Sequence, residues 1–433
     1  MYLPYLSTYH TIENSQGTLD PLGLYSIADK LATRLAPGLR ERMKHPRYLT
    51  AIAVGSVVGS SFEENELARD EVSEPWQVYE WYVTSGLVKK FEKEDPSQLL
   101  GMPGREKTTN ALKSNLPLSA NRYLKTPSVF GFHGVYRTLA KQIGLIEGNL
   151  LGEFGYRLTE VWENEQNLKG FLLGVKGSPG NEFRSRLYEA VRRGLEIGEV
   201  AKPWSWEFYS KIGERLSPKS PGNIEATLLY NELIRGESGA VGELINFLIS
   251  KAGRRALLPG SEKTFHELFL QSSIYNRELL KAIQAYERVA RLLYNAFYDC
   301  LHWMAQNQSK GKVAQLASLH HILVACKELP VAFTQADLLL EPFSPEAHEF
   351  AEKFEMVREI FSAPDWVKLL FEHHSAVQRA KPPNGKASWI LEHTSGSYLL
   401  NTLQSNRQLL NNEYVHQYRT FALQSFMKDL NKI

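Results

Sequence analysis

The sequence predicts a mainly α-helical protein built from several domains. Its 433 residues exceed the length of one ordinary domain. No glycine or proline interrupts residues 261–310, and apolar side chains recur there at helical spacing. This pattern predicts one very long helix, or two helices hinged near Ser272 and Ser273. Because no sustained strand alternation follows residue 180, we expect the C-terminal half to be a bundle of long helices.

Charge and composition limit the classes of function. The chain has 43% hydrophobic and 23% charged residues, and its 50 basic and 48 acidic residues leave a net charge of +2. A wholly basic nucleic-acid binder is therefore excluded, although a local basic face is not. Two cysteines, Cys300 and Cys326, are too few for a disulfide scaffold or a four-thiolate zinc site. We expect no cofactor and no metal site.

The apolar runs and the N-terminus predict a cytoplasmic protein without membrane contact. The first residues have neither the basic segment nor the cleavage site of a secretory signal. The longest uncharged apolar run, residues 48–62, is shorter than the roughly 20 residues that a membrane-spanning helix needs. Since glycines and serines interrupt this run, we expect it to be a buried core helix.

The first third of the chain alternates in charge. Apolar residues recur at spacings of three and four from Pro21 to the break at residues 37–38, which predicts an amphipathic helix. Residues 62–95 carry ten acidic side chains against four basic ones, and a helical stripe covers residues 76–87. Residues 101–141 reverse the balance, with seven basic side chains against one acid. This basic block is the strongest charge signal in the sequence.

The elements after Thr126 follow the order helix, glycine turn, extended piece and helix. Apolar residues keep the helical period over 129–143, Gly144 ends that helix, and a turn at 147–149 leads to a second helix over about 159–168. This order resembles the recognition helix and wing of winged-helix DNA-binding domains. The predicted fold class is therefore mainly α, with a winged-helix-like unit in the N-terminal half and a long-helix bundle in the C-terminal half.

The resemblance implies that Arg137, Lys141 and Arg157 hold the phosphates of duplex DNA, and the basic block adds further candidates. Since no residue pattern suited to bidentate base contacts stands out, we expect phosphate contacts without sequence preference. The candidates are Arg105, Lys107, Arg122, Lys125, Arg137, Lys141 and Arg157. His133 and Tyr136 are candidates for closer contacts. Two alternatives stay open: the helices belong to an ordinary helical domain with solvated basic side chains, or the winged helix docks another protein.

Breaks in composition predict four segments. They are an N-terminal helical segment (1–60), the winged-helix-like domain (61–178), a helical linker domain (179–260) and the C-terminal helical bundle (261–433). Beyond the basic block, further helices are predicted at about 183–195, 202–216, 223–235, 238–253, 311–328, 344–361, 364–381 and 404–430.

The sequence lacks the common signatures of enzymes. It contains no phosphate-binding loop, dinucleotide-binding fingerprint, zinc-protease motif or serine-hydrolase motif. A polar cluster remains near the C-terminus, where His374 and Lys381 share one face of a predicted helix and a tight turn at 384–385 returns Lys386 toward them. Cations beside a histidine stabilise the charge that develops in phosphoryl transfer. A nuclease with an unrecognised site at these three residues is therefore an alternative, although the nearest carboxylates lack the spacing of a metal-dependent nuclease. The other interpretations of the cluster are a non-catalytic contact with a phosphate or a partner, and a plain helix end.

Two short stretches resemble an uncharacterised bacterial protein family that is associated with anti-phage defence gene clusters. They are the run from Asp20-Pro21-Leu22-Gly23 through Pro37-Gly38 to Arg47-Tyr48-Leu49, and the run through His374, Lys381, Gly385, Lys386 and Trp389. The resemblance implies a component of a multi-gene system and assigns no catalytic residue.

We therefore expect a non-catalytic DNA-binding or adaptor subunit of a bacterial defence or DNA-processing complex. Its partners would be duplex DNA and other protein subunits of the same system. The alternatives are the nuclease and a pure protein-interaction scaffold.

Overall fold

The computed structural model describes residues 20–63, 66–148, 150–234, 239–257, 260–360, 362–394, 396–402 and 407–433. Over these residues the chain is mainly helical with a few short strands, which confirms the predicted mainly α class, while the winged-helix-like unit stays a prediction. Residues 1–19 of the predicted N-terminal segment and Asn149 of the predicted turn lie outside them. Within the same ranges, no helix is both long and apolar enough to cross a membrane.

The helices and strands are numbered in chain order. The helices are α1 (Tyr25–Leu35), α2 (Tyr48–Gly59), α3 (Pro75–Glu94), α4 (Arg105–Lys113), α5 (Pro127–Phe130), α6 (Phe132–Gln142), α7 (Glu153–Glu165), α8 (Pro179–Ile197), α9 (Phe208–Arg215), α10 (Asn223–Ile234), α11 (Gly239–Ile249), α12 (Lys251–Leu257), α13 (Glu262–Ser272), α14 (Arg277–Gln306), α15 (Val313–Leu316), α16 (His320–Leu340), α17 (Ser344–Arg358), α18 (Ala363–Ala380) and α19 (Thr420–Asp429). The strands are β1 (Ile146–Glu147), β2 (Leu150–Leu151), β3 (Lys310–Lys312), β4 (Ile390–Thr394) and β5 (Ser397–Leu400).

The chain divides into two compact units, and each is assembled from two separate stretches. The first unit consists of the residues up to Leu35 together with Ala256–Tyr418, and the second of Ala36–Arg255 together with Arg419–Ile433. The predicted boundaries near residues 60 and 178 fall inside the second unit. The four-segment division stays a prediction.

A long helix forms the centre of the first unit. Helix α14 runs for 30 residues and packs against α16, α13 and α1. Its apolar side chains lie on one face because they recur at helical spacing, and Tyr286, Leu293 and Phe297 are fully buried. Helix α13 ends at Ser272 and Ser273 is extended, so the two-helix alternative for residues 261–310 is confirmed.

The first unit also contains a small antiparallel sheet in the order β3-β5-β4. Its strands have three to five residues, too few to show alternation in the sequence. The predicted helix at 311–328 is therefore wrong at its start, where strand β3 and the single turn α15 precede α16. Helix α16 continues through Pro330 to Leu340, because its buried side packs along α14.

Helix α3 is the centre of the second unit. It packs against α2, α4, α6, α8 and α9, and its residues 77–88 are all buried. Gly86 lies within α3, which continues to Glu94 beyond the predicted stripe over 76–87. The absence of a side chain at Gly86 allows α9 to pack closely against α3, since a Cβ atom there would lie 2.9 Å from the carbonyl oxygen of Tyr209. Helix α2 is buried over most of its length, which confirms the core helix expected from the apolar run.

The C-terminal helix belongs to the second unit and is shorter than predicted. Residues 407–419 are not helical, and α19 begins only at Thr420, so the prediction of a helix over 404–430 is wrong for 407–419, while residues 404–406 lie outside the described ranges. Phe426 of α19 stacks on Tyr136 with the ring planes 6° apart. Asp429 accepts a hydrogen bond from Nδ1 of His45 at 2.6 Å. These contacts attach α19 to the rest of the second unit.

Candidate functional site

Helix α6 is held at its N-terminus by a buried carboxylate. Glu80 of α3 accepts hydrogen bonds from the backbone N–H groups of Phe132 and His133, the latter at 3.1 Å, and from the hydroxyl of Tyr123 at 2.7 Å. Burial raises the pKa of Glu80 to about 7. A Cβ atom at residue 131 would lie 2.2 Å from this carboxylate, so only glycine fits there. The predicted single helix over 129–143 is therefore two helices, α5 and α6, separated by Gly131.

The buried face of α6 fixes its orientation in the second unit. The ring of Phe132 stacks on Tyr48 of α2, with the centroids 5.4 Å apart. The hydroxyl oxygen of Tyr136 accepts hydrogen bonds from the backbone N–H groups of Lys44 and His45, each at 3.0 Å. Tyr136 is therefore a core residue that is 1% exposed, and the closer contact with DNA expected of it does not fit this geometry.

A two-stranded hairpin follows α6. Ile146 pairs with Leu151 and Glu147 with Leu150 in antiparallel register, and α7 begins directly afterwards at Glu153. The observed order of helix, hairpin and helix agrees with the predicted order, but α7 starts six residues earlier than predicted. The described hairpin residues include an exposed glutamate, Glu147, and no lysine or arginine.

The exposed side of α6 brings together two basic segments that the acidic stretch 62–95 separates in sequence. Arg137 and Lys141 lie one helical turn apart on α6. Arg40 donates a hydrogen bond to the hydroxyl of Thr138 at 3.5 Å, and the guanidinium of Arg42 lies 4.6 Å from the ring centroid of Phe130. The sequence shows Arg40 and Arg42 as part of a basic loop before α2, but it does not predict these contacts, because the partners are about 90 residues away. We call Arg40, Arg42, Arg137 and Lys141 the α6 basic face.

The other predicted phosphate contacts are scattered over the second unit, and acids pair with some of them. Arg122 forms an ion pair of 2.9 Å with Glu199, and Arg105 one of 3.8 Å with Glu92. Both acids lie outside the basic block, so the local charge excess is smaller than the sequence indicates. The remaining three candidates have exposed side chains: Lys107, Lys125 and Arg157.

An open cleft of about 450 Å³ lies beside α6. Its walls are formed by the C-terminal part of α2, the first turns of α3, the start of α6 and the hairpin. Apolar and aromatic side chains line it, among them Ile52, Phe62, Trp76, Tyr79 and Phe132. Four glutamates and one arginine add charge: Glu63, Glu66, Glu74, Glu147 and Arg137. We call this feature the α6 cleft.

His133 lies in the wall of the α6 cleft. Its ring stacks on Trp76 with the centroids 4.6 Å apart, and its side chain is 8% exposed. Burial, helped by the charges of Arg137 and Lys141, lowers the pKa of His133 to about 4, so the ring is neutral at pH 7. Its Nε2 atom is buried and has no hydrogen-bond partner among the described residues. Such an atom is rare in folded proteins and calls for an explanation.

The predicted nuclease residues lie in the first unit, where His374 connects two backbone segments. Its Nδ1 donates to the carbonyl oxygen of Pro21 at 2.8 Å, and its Nε2 accepts from the N–H of Trp389 at 3.0 Å. His373 beside it donates from Nε2 to the carbonyl oxygen of Leu22 at 2.9 Å. Burial lowers the pKa of His374 to about 4. In this arrangement neither nitrogen of His374 is available to a substrate.

Lys381 contributes to the same attachment. Its Nζ donates to the carbonyl oxygen of Asp20 at 2.6 Å and to Oε1 of Gln378 at 3.2 Å. Burial lowers the pKa of Lys381. The turn brings Lys386 close to the C-terminal end of α18, where its backbone N–H donates to the carbonyl oxygen of Gln378 at 2.9 Å. The nuclease site stays a prediction, and these contacts are those of a structural tether.

Comparisons with known proteins identify no relative of this chain. No family model matches the chain, and neither the curated proteins nor the solved structures contain a match. The resemblance to a bacterial defence-associated family therefore stays a prediction. Within the described part of the chain, no three His, Cys, Asp or Glu side chains form a group that could hold a metal ion.

Proposed function

We propose that the protein is a non-catalytic subunit that binds the phosphate backbone of duplex DNA through the α6 basic face. The observation that carries the proposal is the meeting of two basic segments on the exposed side of α6. Arg40 contacts the exposed side of α6 beside Lys141, and both side chains are exposed to solvent. Lysine and arginine at such positions attract phosphates without sequence preference, and salt weakens that attraction.

The helix–hairpin–helix order supports a winged-helix mode of binding, with one departure. In the proposed mode α6 lies against the duplex and Arg157 of α7 adds a phosphate contact. The described residues of the hairpin carry Glu147 instead of a cation, so the hairpin contributes little attraction. Binding therefore depends on α6 and the loop that contains Arg40.

The test is a titration of a labelled duplex of about 20 base pairs, followed by fluorescence anisotropy at several salt concentrations from about 50 mM upward. Arg40→Glu combined with Lys141→Glu removes two cations from the face. We expect Kd to rise at least roughly tenfold, and the slope of log Kd against log salt to fall by about two. Arg137 is left unchanged because it also lines the α6 cleft.

The matched control is Lys176→Glu combined with Lys211→Glu. Both lysines are exposed in the second unit, and the control changes the net charge by the same amount. Equal losses of affinity in the two double variants would refute the α6 basic face as the interface. If the unmodified protein binds no duplex even at about 50 mM salt, the DNA-binding proposal fails and the protein-docking alternative takes its place.

The resemblance to a defence-associated bacterial family suggests where such a subunit acts. Under that proposal, duplex binding brings the other subunits of a multi-gene system to DNA. Purifying the protein together with the products of neighbouring genes, with and without nuclease treatment, tests it. Complexes that survive removal of DNA indicate direct protein contacts, and the absence of any complex contradicts the subunit role.

A further inference from the structure

The α6 cleft has a charge opposite to that of the neighbouring basic face. Four glutamates and one arginine line it, so its formal charge is −3 when its histidine is neutral. Glu63 and Glu147 are exposed at the rim, whereas Ile52, Tyr79 and Phe132 lie buried in the floor. An anionic ligand such as a nucleotide is repelled here, and a cation is attracted.

His133 supplies an observation independent of the acidic rim. Its ring lines the cleft, its side chain is 8% exposed, and its Nε2 has no partner in the described residues. An unsatisfied buried polar atom costs about 1–3 kcal/mol. In the tautomer that carries its proton on Nδ1, Nε2 is an acceptor, which an N–H group of a ligand in the cleft would satisfy.

Aromatic rings give the cleft a second means of holding a cation. Trp76 is partly exposed in the wall and Phe62 lies at the rim. The faces of such rings attract ammonium groups, most strongly for tryptophan. The combination of carboxylates, aromatic rings and one neutral acceptor is the chemistry that recognises an alkylammonium group.

We propose that the α6 cleft binds a small free polyamine, with the carboxylates at the rim holding its ammonium groups and Nε2 of His133 accepting one N–H bond. The volume of about 450 Å³ falls within the range of small-molecule sites. An organic cation fits better than a metal ion, because the described residues include no group of three ligands that could hold a metal. The polyamine site does not depend on duplex binding.

The experiment is calorimetric titration of the full chain, without DNA, using spermidine as the probe. We expect saturable binding of spermidine with a Kd on the order of 10–100 µM at about 50 mM salt, weakened by added salt. Choline, with one charge, and an acetylated lysine amide, which represents the side chain of a peptide, are expected to bind more weakly. Tighter binding of the lysine amide would overturn the choice of a free polyamine, and no binding of spermidine at millimolar concentration would overturn the site.

Gly59 allows the cleft to be filled without disturbing the fold. It lines the cleft at the end of α2, and a Cβ atom built there meets nothing within 4 Å. We expect Gly59→Leu to weaken spermidine binding at least tenfold and Gly59→Ala to weaken it less than threefold, because the larger side chain occupies the ligand's space. Thermal unfolding of each variant confirms that it is folded. Unchanged affinity in a folded Gly59→Leu variant would show that spermidine binds elsewhere.

The rim charges provide the second set of variants. Glu63→Gln combined with Glu147→Gln removes two exposed carboxylates from the cleft, and we expect spermidine binding to weaken roughly three- to tenfold. The matched control is Glu153→Gln combined with Glu160→Gln, two exposed carboxylates on α7 that do not line the cleft. Equal losses in both pairs would mean that spermidine responds only to the net charge of the protein, which contradicts the site.

Discussion

His374 in the first unit and His133 in the second are both buried, and burial lowers the pKa of each to about 4. They differ in hydrogen bonding. Both ring nitrogens of His374 are bonded to backbone groups, those of Pro21 and Trp389, whereas Nε2 of His133 has no partner within the described ranges. His133 instead stacks on Trp76 in the wall of an open cleft.

The difference shows why local composition misjudges histidines. His374 stands among lysines and next to a tight turn, which made it a candidate for chemistry, and His133 stands on a helix in the basic block, which made it a candidate for a contact with DNA. The partner that explains His374 lies 353 residues away in sequence. A ring with both nitrogens bonded to the backbone joins segments of the fold, whereas a ring with an unsatisfied nitrogen beside a cleft keeps the capacity to bind a ligand.

Replacing each histidine with phenylalanine keeps the ring and removes the nitrogens, so it separates the two roles by the largest expected effect. His374→Phe leaves the backbone N–H of Trp389 without its acceptor and removes the hydrogen bond that His374 donates to the carbonyl oxygen of Pro21. We expect it to lower the free energy of unfolding by roughly 3–4 kcal/mol, and His133→Phe to raise it by about 1–3 kcal/mol because the unsatisfied nitrogen is removed. Urea unfolding at pH 7 measures both.

A matched control for this pair is His348→Phe, because that histidine is 85% exposed and should change the stability little. If His133→Phe costs as much as His374→Phe, then His133 has a structural partner and the contrast between the two histidines is wrong.

Glu80 is the buried carboxyl that accepts a hydrogen bond from the backbone N–H of His133. Its folded pKa is about 7 and its reference value is 4.5, so between these pH values the folded state binds the proton and the unfolded state does not. This difference makes stability fall as pH rises through that interval, by about 1.4 kcal/mol per pH unit. Between pH 5 and pH 7, we expect the contribution of Glu80 to decrease by roughly 2–3 kcal/mol.

Glu80→Gln removes this titration, so the stability of the wild type relative to the variant should fall over the same interval. Contributions of the buried histidines are common to both proteins and cancel in the difference. Urea unfolding at half-unit steps from pH 5 to pH 8 provides the measurement. A difference that stays constant across this range would show that Glu80 is already ionised at pH 5 in the folded protein.

The smallest expected effects come from two glycines, one beside each histidine site. Gly23, next to the segment that His373 and His374 bind, has φ +72°, and a Cβ atom there would lie 3.3 Å from Lys353. Gly59 borders the α6 cleft and has open space. We expect Gly23→Ala to destabilise by about 1 kcal/mol and Gly59→Ala to stabilise by roughly 0.5 kcal/mol, measured by urea unfolding. Effects of the same sign would contradict the distinction between a packed tether and an open cleft.

Much of the helical architecture follows from hydrophobic periodicity. The hinge near Ser272, the buried helix α2 and the mainly α class were predictable because they depend on local patterns. Elements that depend on partners distant in sequence were not predictable. Gly131 interrupts a good helical pattern because the carboxylate of Glu80 approaches it, and Pro330 does not end α16 because packing against α14 outweighs the cost of its missing N–H.

The candidate site was predictable only in part. The sequence shows the basic excess that includes Arg137 and Lys141, but it does not show that Arg40 joins them, nor that Glu92 and Glu199 pair with two of the other candidates. The α6 cleft is formed by residues from four separate elements, and its acids come from outside the basic block. No window of sequence contains that arrangement, because it is created by packing.

The order of the two units along the chain has a consequence for protein synthesis. Helix α1 belongs with Ala256–Tyr418, so it leaves the ribosome about 220 residues before its partners begin to appear. At typical elongation rates of about 5–20 residues per second, its apolar face, including Leu31 and Leu35, waits on the order of 10–40 seconds. The second unit is likewise completed only when α19 emerges. Chaperones that cover a nascent amphipathic helix therefore have more time to act on this chain than on one whose units follow each other in sequence.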